Sequence, residues 1–282
     1  MQFRRVGVVG AGRMGAEIAL VFALGGRQVR LADTDAEILE RAKAKINKTL
    51  TKGVTRGYYD DGRAAAARDA ITTTSDLAEL AESEIVVEAV FEDIAVKADV
   101  WRRLDDLCPA YTIFATNTST IPISTLAAKL ERSRAERFVG AHFFSPASRM
   151  QLVEVVPGFR TSEATVAAAT TLLAEVGKCP IRVKDVAGFA VNRVFHAFLI
   201  EAVRLVEEGV ATPEDIDAAC RLGLGHPMGP FELMDATTSS LCLQAQEIMH
   251  EAYGERFRPR PLLKQRVQAG LVGGDGRPGW RT

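Results

Sequence analysis

The sequence predicts an α/β fold with a doubly wound, mostly parallel sheet and a helical-hairpin insertion, followed by an all-α domain. Short apolar runs alternate with helical patterns over residues 1–184, as in a parallel sheet covered by helices on both faces. A glycine-rich turn at residues 10–15 follows the first apolar run. Only helical patterns remain over residues 185–282. We therefore predict two domains, residues 1–184 and 185–282.

The composition narrows the class of protein. Of the 282 residues, 47% are hydrophobic and 25% charged, and the net charge of -1 argues against a general nucleic-acid binder. No apolar run is long enough to span a bilayer, and no export signal is visible. The four cysteines lie far apart and no cluster has metal-ligand spacing. We expect reduced thiols, no metal, no membrane partner and a cytoplasmic protein.

The first predicted strand, residues 6–9, leads into a phosphate-binding pattern. Gly10, Gly12 and Gly15 match G-x-G-x-x-G. The first glycine permits a tight turn, the second lets the backbone approach a pyrophosphate, and the third lets the next helix pack on the strand. That helix, predicted over residues 14–24, would direct its N-terminal N–H groups at the phosphates. The predicted cofactor-binding residues of this turn are Gly10, Gly12, Arg13, Met14 and Gly15.

Asp33 ends the second predicted strand, residues 28–32. A carboxylate there accepts the ribose hydroxyls of NAD and repels the additional phosphate of NADP. The glycine motif alone is weak, but strand, turn, helix and acid together predict a Rossmann-like domain that binds NAD. The alternative is a glycine-rich turn without a ligand.

Residues 35–68 are too long for a simple crossover and predict a helical hairpin inserted after the second strand. Lys45, Lys48 and Lys52 share one helix face, and Arg56 extends this basic surface. Spacing alone favours a solvated face. The alternative is a clamp for a polyanion such as coenzyme A.

Two further strands are predicted over residues 71–74 and 85–89. Glu92 follows the second of them, at the edge where open α/β sheets bind ligands. Lys97 lies in the first turn of the next predicted helix, residues 94–107.

A polar cluster, Asn117-Thr118-Ser119-Thr120, follows the predicted strand at residues 112–116. Two interpretations have equal weight. The cluster could cap the next helix, predicted to begin near Ser124. It could instead face the ligand crevice, because it follows the carboxyl end of a strand.

His142 lies in the predicted strand 138–144, and Glu154 is the one carboxylate in the apolar strand 152–156. A lone histidine among apolar neighbours is more often a core residue than a catalyst. A buried carboxylate is costly unless it is paired, however, and pairing the two accounts for both. Glu154 would then fix the imidazole tautomer and raise its basicity.

A helix over residues 163–176 and a strand over 181–183 complete the first predicted domain. Asn192 lies near the domain junction, where it could reach the cleft or be a buried structural amide. The helices predicted for the second domain are one over residues 186–208, one starting at Thr212-Pro213, one over 231–253 and one over 262–268.

These motifs together resemble the 3-hydroxyacyl-CoA dehydrogenase family, of the single-copy 3-hydroxybutyryl-CoA type, over nearly the whole chain. The resemblance rests on Gly10-Ala-Gly-Arg-Met-Gly15, Glu88-Ala-Val-Phe-Glu92 with Lys97, Asn117-Thr-Ser-Thr, Gly140-Ala-His-Phe-Phe-Ser-Pro146, Leu152-Val-Glu-Val-Val156, Gly188-Phe-Ala-Val-Asn-Arg193 and His226-Pro-Met-Gly-Pro-Phe-Glu-Leu-Met-Asp235.

The resemblance implies roles for individual residues. The catalytic group would be His142 as the base, Glu154 as its partner, and Ser119 and Asn192 as substrate ligands. The NAD site would include Asp33, Glu92, Lys97, Asn117, Ser119 and Ser145. Thr49 and Arg56 match positions that touch coenzyme A, which favours the clamp interpretation and adds Lys52 to it. A homodimer through the helical domain is also implied.

Two departures from the family pattern are visible. Ser145 stands where many members have asparagine, and the stretch 272–280 lacks the lysine of a turn that reaches the cofactor.

The predicted function is NAD-dependent interconversion of (S)-3-hydroxyacyl-CoA and 3-oxoacyl-CoA of short chain length, in fatty acid metabolism, with His142 as general base and acid. One alternative is a related dehydrogenase of a free hydroxy acid, such as a sugar acid or carnitine. The other is a non-catalytic structural protein that binds NAD.

Overall fold

The computed structural model describes residues 3–274 and 276–281, and the chain divides into two units between Val186 and Ala187. The strands are β1 (Arg5–Val9), β2 (Gln28–Ala32), β3 (Ile71–Thr74), β4 (Ile85–Glu88), β5 (Ile113–Thr116), β6 (Phe138–Phe143), β7 (Leu152–Pro157) and β8 (Cys179–Arg182). The helices of the first unit are α1 (Arg13–Leu24), α2 (Ala36–Thr55), α3 (Asp61–Asp69), α4 (Ile94–Leu107), α5 (Ile123–Ala127), α6 (Arg132–Ala135) and α7 (Glu163–Glu175).

The strands form one sheet in the order β3-β2-β1-β4-β5-β6-β7-β8. Neighbours among β1 to β6 are parallel, β7 is antiparallel to β6, and β8 is parallel to β7. The order of the first six strands is that of the Rossmann fold. Every residue of β4, β5 and β6 is buried, which explains why these strands are apolar runs without alternation. The predicted doubly wound, mostly parallel sheet is confirmed.

The predicted insertion is the hairpin formed by α2 and α3. Asp35 caps α2, accepting hydrogen bonds from the N–H groups of Glu37 (2.8 Å) and Ile38 (3.4 Å). One face of α2 is buried in the core at helical spacing, through Leu39, Ala42, Ile46 and Leu50. The opposite face is left for solvent or a ligand.

The second unit is helical. Its helices are α8 (Val191–Glu207), α9 (Pro213–Leu224), α10 (Pro230–Thr237), α11 (Ser239–Tyr253) and α12 (Pro261–Gln268). Its core includes Leu199, Val203, Phe231, Met234, Cys242, Leu263 and Trp280. Within the described part of the chain, no helix is both long and apolar enough to cross a membrane.

Two predicted helix boundaries in this unit are wrong. α8 begins at Val191 rather than 186, because Gly188 (φ 72°) and Phe189 (φ 44°) have left-handed backbone conformations that a helix does not allow. The helix predicted over 231–253 is two helices, because Thr238 has a φ of 116°. The Thr238 side chain then caps α11 by accepting from the N–H of Leu241 at 3.4 Å.

His196 on α8 predicts a pH dependence of stability. The side chain is 4% exposed, and burial lowers its pKa from 6.5 to about 4. Below pH 6.5 the unfolded chain binds a proton at this residue that the folded chain does not, so stability falls as the pH falls towards about 4. We expect this residue to remove about 2 kcal/mol of unfolding free energy between about pH 7.5 and pH 5.

Urea unfolding at the two pH values measures this effect. His196→Leu should show the smaller loss, whereas His250→Leu, which removes a more exposed histidine, should keep the loss of the wild type. An equal pH dependence in both variants would contradict the prediction.

Candidate active site

The carboxyl ends of five neighbouring strands lie in one row of the sheet. The residues paired in register along it are Ala32, Val9, Glu88, Thr116 and Gly140. The residues that follow this row in each strand or in the segment after it therefore lie at the same edge, and they include the glycine turn, Asp33, Glu92, Asn117 and His142. This is the edge at which open α/β sheets bind ligands.

The glycine turn has the geometry that a pyrophosphate requires. Gly10 has a φ of 91°, and a Cβ atom on Gly15 would lie 1.6 Å from the carbonyl oxygen of Gly10, so the first turn of α1 packs directly on it. At Gly12, by contrast, a Cβ atom would have no neighbour within 4 Å. Gly12 is the N-cap of α1, and no side chain of the described residues caps this helix. The turn therefore fits a phosphate group at the helix N-terminus.

Asp33 lies beside this turn. One carboxylate oxygen accepts the N–H of Ala11 at 2.7 Å, and the other accepts the N–H of Asp35 at 3.1 Å. These bonds fix the carboxylate next to the turn, where its other lone pairs suit ribose hydroxyls.

β4 ends in a buried ion pair. Glu88 is 0% and Lys97 1% exposed, and the Lys97 Nζ lies 2.6 Å from Glu88 Oε1 and 3.3 Å from Glu92 Oε2. Burial raises the pKa of Glu88, and the Lys97 ammonium opposes that rise. The Thr116 hydroxyl donates to the other Glu88 oxygen at 2.7 Å. Lys97 thus forms ion pairs with two carboxylates, those of Glu88 and Glu92. Its contact with the cofactor stays a prediction.

Glu92 fixes the polar loop after β5. Its Oε1 accepts from the hydroxyl of Thr118 (2.6 Å) and from the N–H groups of Ser119 (2.8 Å) and Thr120 (2.9 Å). Burial alone would raise the pKa of Glu92, but Lys97 and these donors outweigh burial and lower it. An ionised carboxylate therefore sets the position of Ser119.

The capping interpretation of residues 117–120 is wrong. α5 begins at Ile123, and the Asp185 carboxylate accepts the N–H groups of Ile123 (2.7 Å) and Ser124 (2.8 Å). The contacts of the polar loop include the Glu92 carboxylate, which accepts from Thr118, Ser119 and Thr120, and the Thr118 hydroxyl also accepts the N–H of Ile121 at 3.0 Å, before α5 begins.

His142 on β6 lies directly opposite Glu154 on β7. The two side chains are buried, and His142 Nδ1 lies 2.8 Å from Glu154 Oε2. Asn117 Oδ1 accepts the N–H of the adjacent Phe143 at 2.8 Å, which secures the end of β6. Because the Glu154 carboxylate accepts a hydrogen bond from Nδ1–H, the neutral imidazole has its lone pair on Nε2. This is the arrangement of a general base with an orienting acid.

One lysine of the predicted basic surface of α2 is paired with a carboxylate. The Lys45 Nζ lies 2.8 Å from Glu17 Oε1 on α1, and the lysine side chain is 39% exposed. A ligand-binding role for this surface stays a prediction. Lys48, Lys52 and Arg56 are exposed. Thr49 is half-buried, and its hydroxyl donates to the Lys45 carbonyl at 2.9 Å.

The two remaining predicted site residues lie on a loop and on a helix start. Ser145 is exposed on the loop 144–151 between β6 and β7. Asn192 lies in the first turn of α8, in the second unit. Their roles stay predictions.

Comparison with known families shows which family this chain belongs to. The model of the NAD binding domain of 3-hydroxyacyl-CoA dehydrogenase matches residues 5–186, and the model of the C-terminal domain matches residues 188–282. The chain belongs to the 3-hydroxyacyl-CoA dehydrogenase family. The predicted family, the class of NAD-dependent oxidoreductase and NAD as the cofactor are thereby confirmed.

Individual proteins similar to this chain support its assignment to the 3-hydroxyacyl-CoA dehydrogenase family. A probable 3-hydroxybutyryl-CoA dehydrogenase of Deinococcus radiodurans is 40% identical over 270 residues, which is 95% of this chain and 96% of the relative. The crystal structure of M. tuberculosis FadB2 has a TM-score of 0.96 and 36% identity, covering 100% of this chain and 99% of that one. The crystal structure of (S)-3-hydroxybutyryl-CoA dehydrogenase PaaH1 from Ralstonia eutropha has a TM-score of 0.94 and 34% identity, covering 99% and 98%.

Three carboxylates that support the site were not predicted in their roles: Glu17, Glu88 and Asp185. Glu17 is the one charged residue of the apolar stretch 15–24, and Glu88 closes an apolar run. The cost of burying a carboxylate, which led from Glu154 to His142, is a signal that applies to both. Asp185 follows a strand in a polar stretch, and no local pattern distinguishes it.

Proposed function

We propose that this protein interconverts (S)-3-hydroxybutyryl-CoA and acetoacetyl-CoA with NAD, as a short-chain member of its family in fatty acid metabolism. The observation that carries the proposal is the His142–Glu154 pair, at the sheet edge that also holds the glycine turn. Relatives named for 3-hydroxybutyryl-CoA support the short acyl chain.

In the oxidative direction Nε2 of His142 accepts the proton of the 3-hydroxyl group as C3 becomes a carbonyl carbon. Glu154, bonded to Nδ1, stabilises the imidazolium that forms. In the reductive direction the imidazolium returns the proton to the oxygen on C3. General acid–base catalysis of this kind contributes about 10²–10⁴-fold. Ser119, fixed by Glu92, and Asn192 hold the substrate oxygens.

Bound NAD supplies the hydride acceptor for this oxidation. The N–H groups at the start of α1, with Arg13 and Met14, would hold its pyrophosphate, and Asp33 would accept from its ribose hydroxyls. The residues we assign to the remaining part of the cofactor site are Glu92, Lys97, Asn117, Ser119 and Ser145.

NADH oxidation tests the proposed function. Turnover with acetoacetyl-CoA supports it. Turnover with free 3-oxo acids alone supports a dehydrogenase of free hydroxy acids, and no turnover with either supports a non-catalytic NAD-binding protein.

The coenzyme A part of the substrate is assigned to Thr49, Lys52 and Arg56 on the solvent face of α2. Reversing both charges in Lys52→Glu/Arg56→Glu should raise KM for acetoacetyl-CoA about tenfold, because the phosphates then meet two carboxylates. KM for NADH should not change. Steady-state kinetics at low salt measure both constants.

The matched control is Lys43→Glu/Lys129→Glu, which reverses two exposed lysines outside the proposed clamp. Equal KM values for acetoacetyl-CoA in the two double variants would assign Lys52 and Arg56 to a solvated face.

We also propose that the protein is a cytoplasmic homodimer that pairs through the helical unit. Several apolar side chains of that unit are more than half exposed, namely Val194 (72%), Val210 (63%), Leu222 (88%), Leu224 (65%) and Leu241 (59%). The four cysteines are unpaired, as expected in a reducing compartment.

A further inference from the structure

Glu17 joins three separate parts of the first unit. It lies on α1, just after the glycine turn, and is 7% exposed. Its Oε1 lies 2.8 Å from the Nζ of Lys45 on α2. Its Oε2 accepts the N–H of Ala147, in the loop between β6 and β7, at 2.5 Å. Glu17 on α1 therefore joins the hairpin of α2 and α3 to the loop 144–151, which follows the strand of His142.

The Lys45 contact attaches α2 to the start of α1. The same ammonium donates to the carbonyl oxygen of Arg13 at 3.2 Å. Lys45 is one helical turn before Thr49, so the attachment lies next to the residues assigned to coenzyme A. Loss of Lys45 would remove these contacts between α1 and α2, and the part of α2 that carries Thr49 would then be held less firmly.

The loop 144–151 is held from a second direction. The Nζ of Lys178 donates to the carbonyl oxygens of Ala147 (2.5 Å) and Met150 (2.9 Å). The loop joins the strand of His142 to the strand of Glu154, and it contains Ser145. Its position therefore depends on Glu17 at the Ala147 N–H and on Lys178 at the Ala147 carbonyl.

The two contacts of Glu17 depend on each other. A carboxylate that is 9% exposed in its side chain is costly to keep ionised without a cationic partner. Without Lys45, the carboxylate loses its cationic partner and can turn towards water. That movement removes the acceptor of the Ala147 N–H.

We propose that Glu17 is a positioning residue that couples the coenzyme A-binding face of α2 to the loop 144–151, and through it to His142 and Ser145. The inference rests on the proposed function. It requires that a substitution on α2 changes catalysis even for a substrate that lacks the nucleotide of coenzyme A. A residue that acted through coenzyme A contact alone would change only the reaction of the full substrate.

The test compares Lys45→Met with Lys43→Met, which removes an exposed lysine of the same helix that pairs with Glu40 at 2.8 Å. Acetoacetyl-CoA and acetoacetyl-pantetheine serve as substrates with saturating NADH. We expect Lys45→Met to lower kcat/KM for acetoacetyl-pantetheine about 3- to 10-fold, and Lys43→Met to leave it unchanged. Lys178→Met should also lower it, and the double variant Lys45→Met/Lys178→Met should lose less than the product of the two single losses.

Two results overturn the coupling alone. The first is a Lys45→Met enzyme whose kcat/KM for acetoacetyl-pantetheine equals that of Lys43→Met. The second is a loss confined to acetoacetyl-CoA, which would make Lys45 part of the clamp and nothing more. A wild-type protein that turns over neither thioester would instead overturn the proposed function and the coupling together. Lys45 is 39% exposed in its side chain, so the variant is expected to fold, and its midpoint of urea unfolding verifies this.

Discussion

Replacing His142 by alanine is expected to lower kcat for acetoacetyl-CoA reduction by about 10²–10⁴-fold, the contribution of a general acid. The residue pairs with Glu154 at 2.8 Å, so its removal takes away both the proton donor and the partner of a buried carboxylate. NADH affinity should persist, because the glycine turn and Asp33 follow β1 and β2, whereas His142 lies on β6. Steady-state kinetics and an NADH fluorescence titration separate the two effects.

Two further variants are compared with His142→Ala. Glu154→Gln keeps an acceptor for the Nδ1 proton but removes the charge that stabilises the imidazolium, so its loss should be smaller than that of His142→Ala. His250→Ala removes a histidine whose ring lies 3.3 Å from Glu255 in the other unit and should leave kcat unchanged. A His142→Ala enzyme that retains more than about a tenth of the wild-type kcat would remove His142 from its role.

Local sequence patterns were sufficient to predict the strands of the sheet and the pairing of His142 with Glu154. The central strands are short apolar runs, and the observed strands of the first unit begin and end within about two residues of the predicted ones, as is usual for such boundaries. The pairing of His142 with Glu154 followed from the cost of an unpaired buried carboxylate, and antiparallel register places them opposite each other. Both inferences use physical constraints that act within a strand or between neighbours in sequence.

Contacts between distant residues could not be predicted in the same way. Asp185 caps a helix that begins 62 residues earlier, and Glu17 bonds to an N–H 130 residues away. In the sequence, each of these carboxylates has many possible partners. Which N–H group it accepts from is determined by the tertiary structure. The start of α8 was missed for a related reason, because a left-handed phenylalanine, Phe189, is a conformation that tertiary structure imposes against local preference.

Replacing Lys97 by methionine is expected to lower the free energy of unfolding by about 3–5 kcal/mol at neutral pH. The ammonium is 1% exposed and lies 2.6 Å from the fully buried Glu88, whose carboxylate would remain without a cation. Ser119 would also lose part of its support, because Lys97 lies 3.3 Å from Glu92. Urea unfolding measures the loss. Arg102→Met, which removes an exposed cation of the same helix, should cost no more than about 0.5 kcal/mol.

The pH dependence of that loss identifies Glu88 as its cause. Burial raises the pKa of Glu88 above its ordinary value of 4.5, and removal of Lys97 raises it further. Between the unfolded and folded pKa values the folded variant binds a proton that the unfolded chain does not, so its stability falls as pH rises through this range. The deficit relative to wild type should therefore be larger at about pH 8 than at pH 5, and Lys97→Met/Glu88→Gln should recover part of it. A deficit that is independent of pH and unchanged by Glu88→Gln would assign the loss to packing around the lysine stem instead.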